Sequence, residues 1–298
     1  MTGAPRRLRA NAAQLALLGL LVATAAMVST AAPRRANAII DEGLRREVAA
    51  APRSTTDLHL QARGQDAGVD AAARQLDPYL RRQPAPLRAA VTGSWFAAST
   101  AARPASAPFV PFNGLLKPPI GLLAQSDAER SATVTAGRWP ANRPDRSGRP
   151  LVEVAVSEPV ATALHLTPGS TVTLTDQGPD HPQVDLTVVG LVTVADGRAA
   201  PWDEQPLAVN LPASGTDVGV PVFVLTDRAG LTLAAQTFGG ADYTWRYRID
   251  PGRLGADQIE PLAAAVAASR RQPAARGVTV RTSLDTVLLR FGDRLPAA

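Results

Sequence analysis

The chain has 298 residues, 45% apolar but only 4% aromatic, with 31 basic against 26 acidic side chains, a net charge of +5 and no cysteine. The missing cysteines exclude disulfides, thiolate metal ligands, a cysteine nucleophile and an acylated lipoprotein signal. Lys117 is the only lysine, and the arginines are scattered among acids without aromatic platforms, so nucleic acid is not an expected partner.

The first element is the uncharged run Ala10 to Pro33, set between Arg6-Arg7-Leu8-Arg9 and Arg34-Arg35. As a helix it reaches roughly 36 Å, against ~30 Å of bilayer hydrocarbon. Leu15, Leu17, Leu18, Leu20, Leu21, Val22, Met27 and Val28 carry its lipid affinity, diluted by Gln14, Thr24, Ser29 and Thr30. Two readings fit: a transmembrane helix at 13–32 behind a cytoplasmic amino terminus at 1–12, or a signal peptide cleaved after Ala31 or Ala38. The length of the run and the arginine pair beyond it favour the anchor. Residues 33–298 are then extracytoplasmic on a single-pass protein of the cell membrane, and at about 265 residues they suffice for one large core or two ordinary ones.

Asp41 to Ala51 reads as a helix closed by Pro52, and Thr55 to Gln61 alternates like a half-buried strand. Asp66 to Arg82 reads as a helix with Val69, Ala72, Leu76, Tyr79 and Leu80 on one face, and Ala90 to Ser99 as a strand. Arg103 to Pro119 is proline-rich and without period, an irregular excursion. A β-rich unit is expected at about 131–250. Within it come a strand at Ser131–Thr135, a turn at Ala136-Gly-Arg-Trp-Pro140, and a strand at Leu151–Val156. Ser157 is placed to cap a helix at Pro159–Leu166. Strands follow at Thr171–Leu174, Val184–Val194 (with Gly190 as a bulge), Pro221–Thr226 and Tyr243–Ile249. A helix at Gly255–Arg271 and a strand at Gly277–Arg281 complete the series. Without a regular βαβ rhythm, this is an α+β pattern.

No catalytic, cofactor-binding or metal-binding residue stands out. His59, His165 and His181 are far apart in the chain, and His181 beside Asp180 reads as a solvated loop histidine. Ser157 lies in no Gly-x-Ser-x-Gly elbow, and no phosphate loop or dinucleotide fingerprint occurs. Glu153 reads as the exposed member of an alternating strand pair. Trp95, Trp139, Trp202 and Trp245 are too separated for a sugar platform and read as packing residues.

Ala136-Gly-Arg-Trp-Pro140, the stretch Val154 to Leu174 with its Leu-His-Leu-Thr-Pro-Gly core, and Leu186-Thr-Val-Val-Gly-Leu191 together resemble the extracytoplasmic domain of FtsX-like (MacB-type) ABC transporter permeases of actinobacteria. The resemblance implies an α+β domain after a first membrane helix, with no enzymatic activity and no cofactor. It also implies an ABC ATPase subunit and further permease helices as partners, in transport or mechanotransmission of an unknown substrate. Such permeases continue into more membrane helices after Leu284 to Phe291, so the resemblance leads one to expect a truncated or split permease ending at Ala298. An anchored or secreted binding module of the bacterial envelope is the alternative, and a hydrolase would need Ser157 or the histidines brought together with acids.

Overall fold

The computed structural model describes residues 16–23, 35, 37–64, 69–75, 79–106, 119–143, 149–176, 181–197, 200–209, 221–271 and 277–295. Within the expected anchor, residues 16–23 are helical with exposed side chains, and the rest of 13–32 lies outside the described residues. Among the described residues no helix is long and apolar enough to cross a membrane.

Residues 37–50 form α1, which stops short of Pro52. The Pro52 carbonyl then accepts hydrogen bonds from Thr55 and Thr56. That makes one helical turn, α2 (Arg53–Thr56), and moves the strand expected at 55–61 forward to β1 (Leu58–Gly64). The helix expected over 66–82 is represented by α3 (Val69–Gln75) and α4 (Tyr79–Arg82); residues 65–68 and 76–78 lie outside the described set. After α5 (Ala85–Ala90) come β2 (Val91–Ser99), β3 (Arg103–Ser106) and β4 (Pro119–Gln125). The excursion expected at 103–119 is therefore corrected at both ends. Pro104 and Pro119 face each other where β3 meets β4, at strand termini that tolerate a missing donor. Residues 107–118, including Gly114-Leu-Leu, lie outside the described set.

α6 (Ala128–Ser131) takes the residue expected to open a strand, and β5 (Thr133–Gly137) follows. Then β6 (Leu151–Ser157), α7 (Glu158–Leu164), β7 (Thr171–Thr175) and β8 (Gln183–Thr193) give the expected strand–helix–strand–strand order. A 3-10 turn (Trp202–Glu204) and α8 (Pro206–Val209) lead to β9 (Val222–Leu225) and α9 (Arg228–Phe238). α9 was not foreseen, although Asp227 caps it by accepting from the Gly230 N–H and Gly239 ends it in the left-handed region. β10 (Ala241–Ile249), α10 (Ile259–Arg271), β11 (Thr279–Arg281) and α11 (Leu284–Gly292) complete an α+β fold.

Among the described residues all eleven strands are linked by pairing, in two regions. The first is an antiparallel sheet in the order β11-β1-β10-β2. Leu58, Leu60, Phe96, Tyr243, Trp245 and Tyr247 share its inner face, with Leu87, Leu262, Val266, Leu284 and Leu288 of α5, α10 and α11 in the same core. The second region is a closed ring, in which β4 pairs β3, β3 pairs β7, β7 pairs β8, β8 pairs β6, β6 touches β9, and β9 runs parallel to β4. β5 extends it by pairing the far half of β8. The run from β2 to β4 belongs to both: β2 pairs β10 in the sheet, β3 pairs β7 in the ring, and β4 pairs both β2 and β3. At the crossing, Thr100 donates its N–H to the Leu122 carbonyl at 3.0 Å, and its Oγ1 accepts from the Leu122 N–H at 3.1 Å.

Candidate functional site

Among the described residues, the ring is thinnest at one seam. Between β6 and β9 a single residue pair, Ala155 with Leu225, carries backbone pairing. Beyond it the two strands diverge, and strand N–H and C=O groups left bare would cost free energy. Side chains take over. The Asn142 amide docks on the backbone of Glu153 as a neighbouring strand would: Oδ1 accepts the Glu153 N–H at 2.7 Å and Nδ2 donates to the Glu153 carbonyl at 3.1 Å. Thr226 Oγ1 donates to the same carbonyl at 2.9 Å. Asp227 completes the staple, accepting from the Asn142 N–H at 2.7 Å, from Asn142 Nδ2 at 2.9 Å and from the Gly230 N–H at 2.8 Å. One carboxylate thus fastens the loop after β5 to the seam and caps α9.

The turn that delivers Asn142 is the Ala136-Gly-Arg-Trp-Pro140 segment. Gly137 and Gly190 are partners in the β5–β8 register. Gly137 adopts φ 73°, and a Cβ there would fall on the Val189 carbonyl oxygen. A Cβ on Gly190 would fall on the Arg138 carbonyl oxygen. Two backbones cross where neither tolerates a side chain, which explains why both sequence elements carry glycine. The bulge expected at Gly190 is present as a register shift, with Val154 opposite Val188 and Ala155 opposite Gly190. Arg138 then grips Glu153 with both terminal guanidinium nitrogens, Nη1 at 2.7 Å from Oε2 and Nη2 on Oε1, and the Ala141 N–H adds a bond at 3.0 Å. The hydrogen bonds from Arg138 hold the Glu153 carboxyl below its ordinary range against a smaller opposing effect of burial. Glu153 is therefore paired, where alternation alone had left it simply exposed.

Beside the seam lies a cleft of about 350 Å³, lined by the residues from Ala124 to Arg130 and by Trp139, Thr226, Asp227 and Arg228. Asp127 at its lip holds φ 59°, uncommon for a residue with a Cβ. Arg228, on the lining, pairs with Asp70 at 3.0 Å and stands 5.7 Å over the Phe96 ring.

The residues weighed for chemistry are not brought together. His59 is buried on β1, opposite Arg246 and Arg281; His165 ends α7 in the left-handed region; His181 is exposed. Among the described residues no group of three histidines or acids could hold a metal ion. Ser157 occupies the N-cap position of α7 with extended φ and ψ, but its side chain makes no cap bond, and the buried Oγ has no hydrogen-bond partner among the described residues. The capping expectation is right in place and wrong in contact. Trp202 and Trp245 are core residues, as expected. Sequence reasoning missed Asn142, Thr226 and Asp227; Asp227 four residues before Leu231 was the available signal, as a helix cap.

What fold and seam define is an α+β module whose polar contacts fasten strands together. No protein-family model and no curated protein matches the sequence. Among solved structures the chain is similar to the periplasmic region of MacB from Actinobacillus actinomycetemcomitans, over 84% of this chain and 100% of that one, at 12% identity and a TM-score of 0.37. That is a coarse likeness, and it carries no functional weight.

Proposed function

We propose that the chain supplies the extracytoplasmic module of an FtsX-like ABC transporter permease, passing motion between a membrane unit and whatever the module touches outside. The observation that carries this reading is the pairing of α1 with α11. Just before α11, Ser283 donates its N–H to the carbonyl of Thr55 in α2, which follows the end of α1, and near the other end of α11 Phe291 lies against Gly43 of α1, where a Cβ would sit 3.3 Å from its ring. Arg294 reaches Glu47 at 3.2 Å. α11 therefore runs back antiparallel to α1, toward the end where α1 follows the hydrophobic run at 10–33. A body inserted between two membrane-directed helices is what a module that relays motion needs, since both of its ends sit on one base. One membrane helix encloses no path, so coupling to ATP hydrolysis calls for further helices and an ATPase besides these 298 residues. The cleft beside Trp139 supports the rival reading, a free-standing envelope binding module.

The absence of cysteine makes the test direct, because each introduced thiol is the only one. Single cysteines at Asn37, Leu295 and Thr167 carry a fluorophore in membrane-reconstituted protein, and lipid-borne quenchers report depth. Quenching at both Asn37 and Leu295 but not at Thr167 is expected; quenching at Asn37 alone sinks the two-helix base. Pull-down from native membranes is then expected to recover a polytopic permease segment and a nucleotide-binding subunit. A monodisperse protein with neither, holding an envelope ligand tightly, favours the binding module.

A further inference from the structure

We infer that residues 200–209 form a latch that stays with the ring and releasably clamps the outer face of the sheet. The sheet has a second face, opposite its aromatic core, on which Trp95, Arg246 and His59 stand in one cross-strand row. Arg246 and Arg248 both lie over the Trp95 indole, at 4.7 and 5.0 Å from its centre. Asp203, on the 3-10 turn, reaches down to this pair: Arg246 Nη1 donates to Oδ1 at 2.6 Å, and Arg248 Nη2 donates to Oδ2. Asp57 supports the arginines from below, accepting from Arg248 Nε at 3.4 Å and from the Ile249 N–H at 3.1 Å. The cluster is largely dry, with the side chain of Asp57 0% exposed, Arg246 5%, Asp203 12% and Arg248 20%.

The same segment is fastened to the ring by different chemistry. Trp202, Ala208 and Val209 share a small core with Leu123, Ala155, Val192 and Leu225, and the Trp202 indole N–H donates to the Ser131 carbonyl at 3.3 Å. Apolar burial binds one side of the segment, and an ion cluster the other. The two differ in how they let go. A desolvated ion cluster gains in attraction about what it loses in hydration, so it fixes geometry more than it adds stability, whereas apolar burial is a net gain. The closed seat is also imperfect: Gln125 lines a cavity of about 20 Å³ beneath Pro201 and Gln205, and both polar atoms of its buried amide lack a hydrogen-bond partner among the described residues. The ion cluster is thus the part that parts first. Ring and sheet otherwise meet at the short β2–β4 ladder, Ala97 to Ser99 against Leu123 to Gln125, and at the crossing at residues 100–102 beside it, and this junction is the pivot. The latch itself stands independently of the permease reading; only its use in relaying motion rests on it.

The test uses the full chain in nanodiscs with spin labels on two cysteine pairs. Thr167 with Thr279 spans ring and sheet; Thr167 with Leu151 stays within the ring. In the wild type both pairs are expected to give one narrow distance. Asp203→Ala is expected to broaden or split the first distribution, leave the second unchanged, and speed amide exchange in residues 200–205 by roughly 10- to 100-fold. If Asp203→Ala does not fold, Arg248→Gln removes one of the two partners and is read in the same way. An unchanged spanning distance makes the cluster a static ion pair and overturns the latch. Broadening of both pairs together makes it a general stabiliser and overturns the latch as well. A failed pull-down of permease partners, by contrast, leaves these distances untouched.

Discussion

The sheet and the ring share a chain, a run of strands and a core, yet they are built from different side chains. The sheet carries the rings: Phe96, Tyr243 and Trp245 lie 5.5 to 6.2 Å apart, and Tyr79 stands 5.6 Å from Tyr247. The ring's buried strand residues are aliphatic, Val152, Val154 and Val156 on β6 with Val184, Leu186 and Val188 on β8. The difference follows from how each region covers its strands. A sheet backed by helices leaves a gap about one layer deep that large flat side chains fill, whereas strands curled onto themselves bring side chains together from all sides and leave room for short branched ones. Closure also changes what must be satisfied. The sheet keeps open edges: β11 covers only His59 to Gln61 of β1, β4 covers only Ala97 to Ser99 of β2, and the terminal strand β11 is just three residues long, with Arg281 exposed at its end. The ring abolishes most of its edge, but wherever two strands fail to meet, side chains must stand in for the ladder.

Gly190→Val strikes where the ring has least tolerance, since the new side chain must displace the Arg138 backbone. A loss of more than about 4 kcal/mol is expected, read by denaturant unfolding, with most of the variant unfolded at physiological temperature. Hydrogen exchange sharpens the comparison. If the regions are separable, amides of β6–β8 lose protection while those of β1 and β10 keep theirs; concerted loss in both makes them one cooperative unit and breaks the division drawn here. Asn142→Ala tests the staple more gently. It strips the Glu153 N–H and carbonyl of their surrogate strand, and about 2 kcal/mol is expected to be lost in the unfolding midpoint without a change of fold.

Acid titrates the same junction. Because Arg138 holds the Glu153 carboxyl below its ordinary range, the pair stabilises the folded state above that range, and this contribution disappears as pH falls through the folded-state pKa. Stability is therefore expected to decline on acidification below the usual carboxylate range, and Glu153→Gln is expected to flatten that part of the profile. Both side chains are partly exposed, at 55% and 25%, so the effect is smaller than that of Asn142. A profile as steep in Glu153→Gln as in the wild type assigns the acid sensitivity elsewhere.

How much of this was legible in the sequence depended on how local the cause was. β6, α7, β7 and β8 follow from alternation, a serine before Glu158-Pro159 and a Pro168-Gly169 turn, all within neighbouring residues, and they were read correctly. β3 and β4 were missed because Pro104, Pro111, Pro118 and Pro119 resemble a loop, and only pairing with β7 and β9 shows that the strand ends can bear proline. α9 was overlooked despite local signals: a cap at Asp227, apolar Leu231, Ala234 and Ala235, and the paired Gly239-Gly240. The seam and the latch could not be read at all. Asn142 meets Asp227 across 85 residues, and Asp57 meets Ile249 across 192. Tyr243–Ile249 is legible as a strand, but nothing local to it shows that Arg246 and Arg248 meet Asp203 and Trp95.

The smallest expected effect concerns Ser157, and its size separates two explanations of the same residue. As a cap, its hydroxyl would satisfy one of the free N–H groups in the first turn of α7, and Ser157→Ala would cost about 1 kcal/mol. The residue is 2% exposed, makes no such bond and leaves its oxygen without a partner among the described residues. A buried hydroxyl in that state already bears its desolvation cost in the folded protein, and alanine removes the hydroxyl while keeping the Cβ. Pro159 near the start of α7 and Glu158 in its first turn continue to support the helix in the variant. Ser157→Ala is therefore expected to be neutral or slightly stabilising, within about 0.5 kcal/mol of the wild type in urea unfolding. A loss near 1 kcal/mol restores the cap and requires the hydroxyl to turn toward α7. It also changes the contrast between ring and sheet, because the ring would then rest on one more polar fastening than the seam alone supplies.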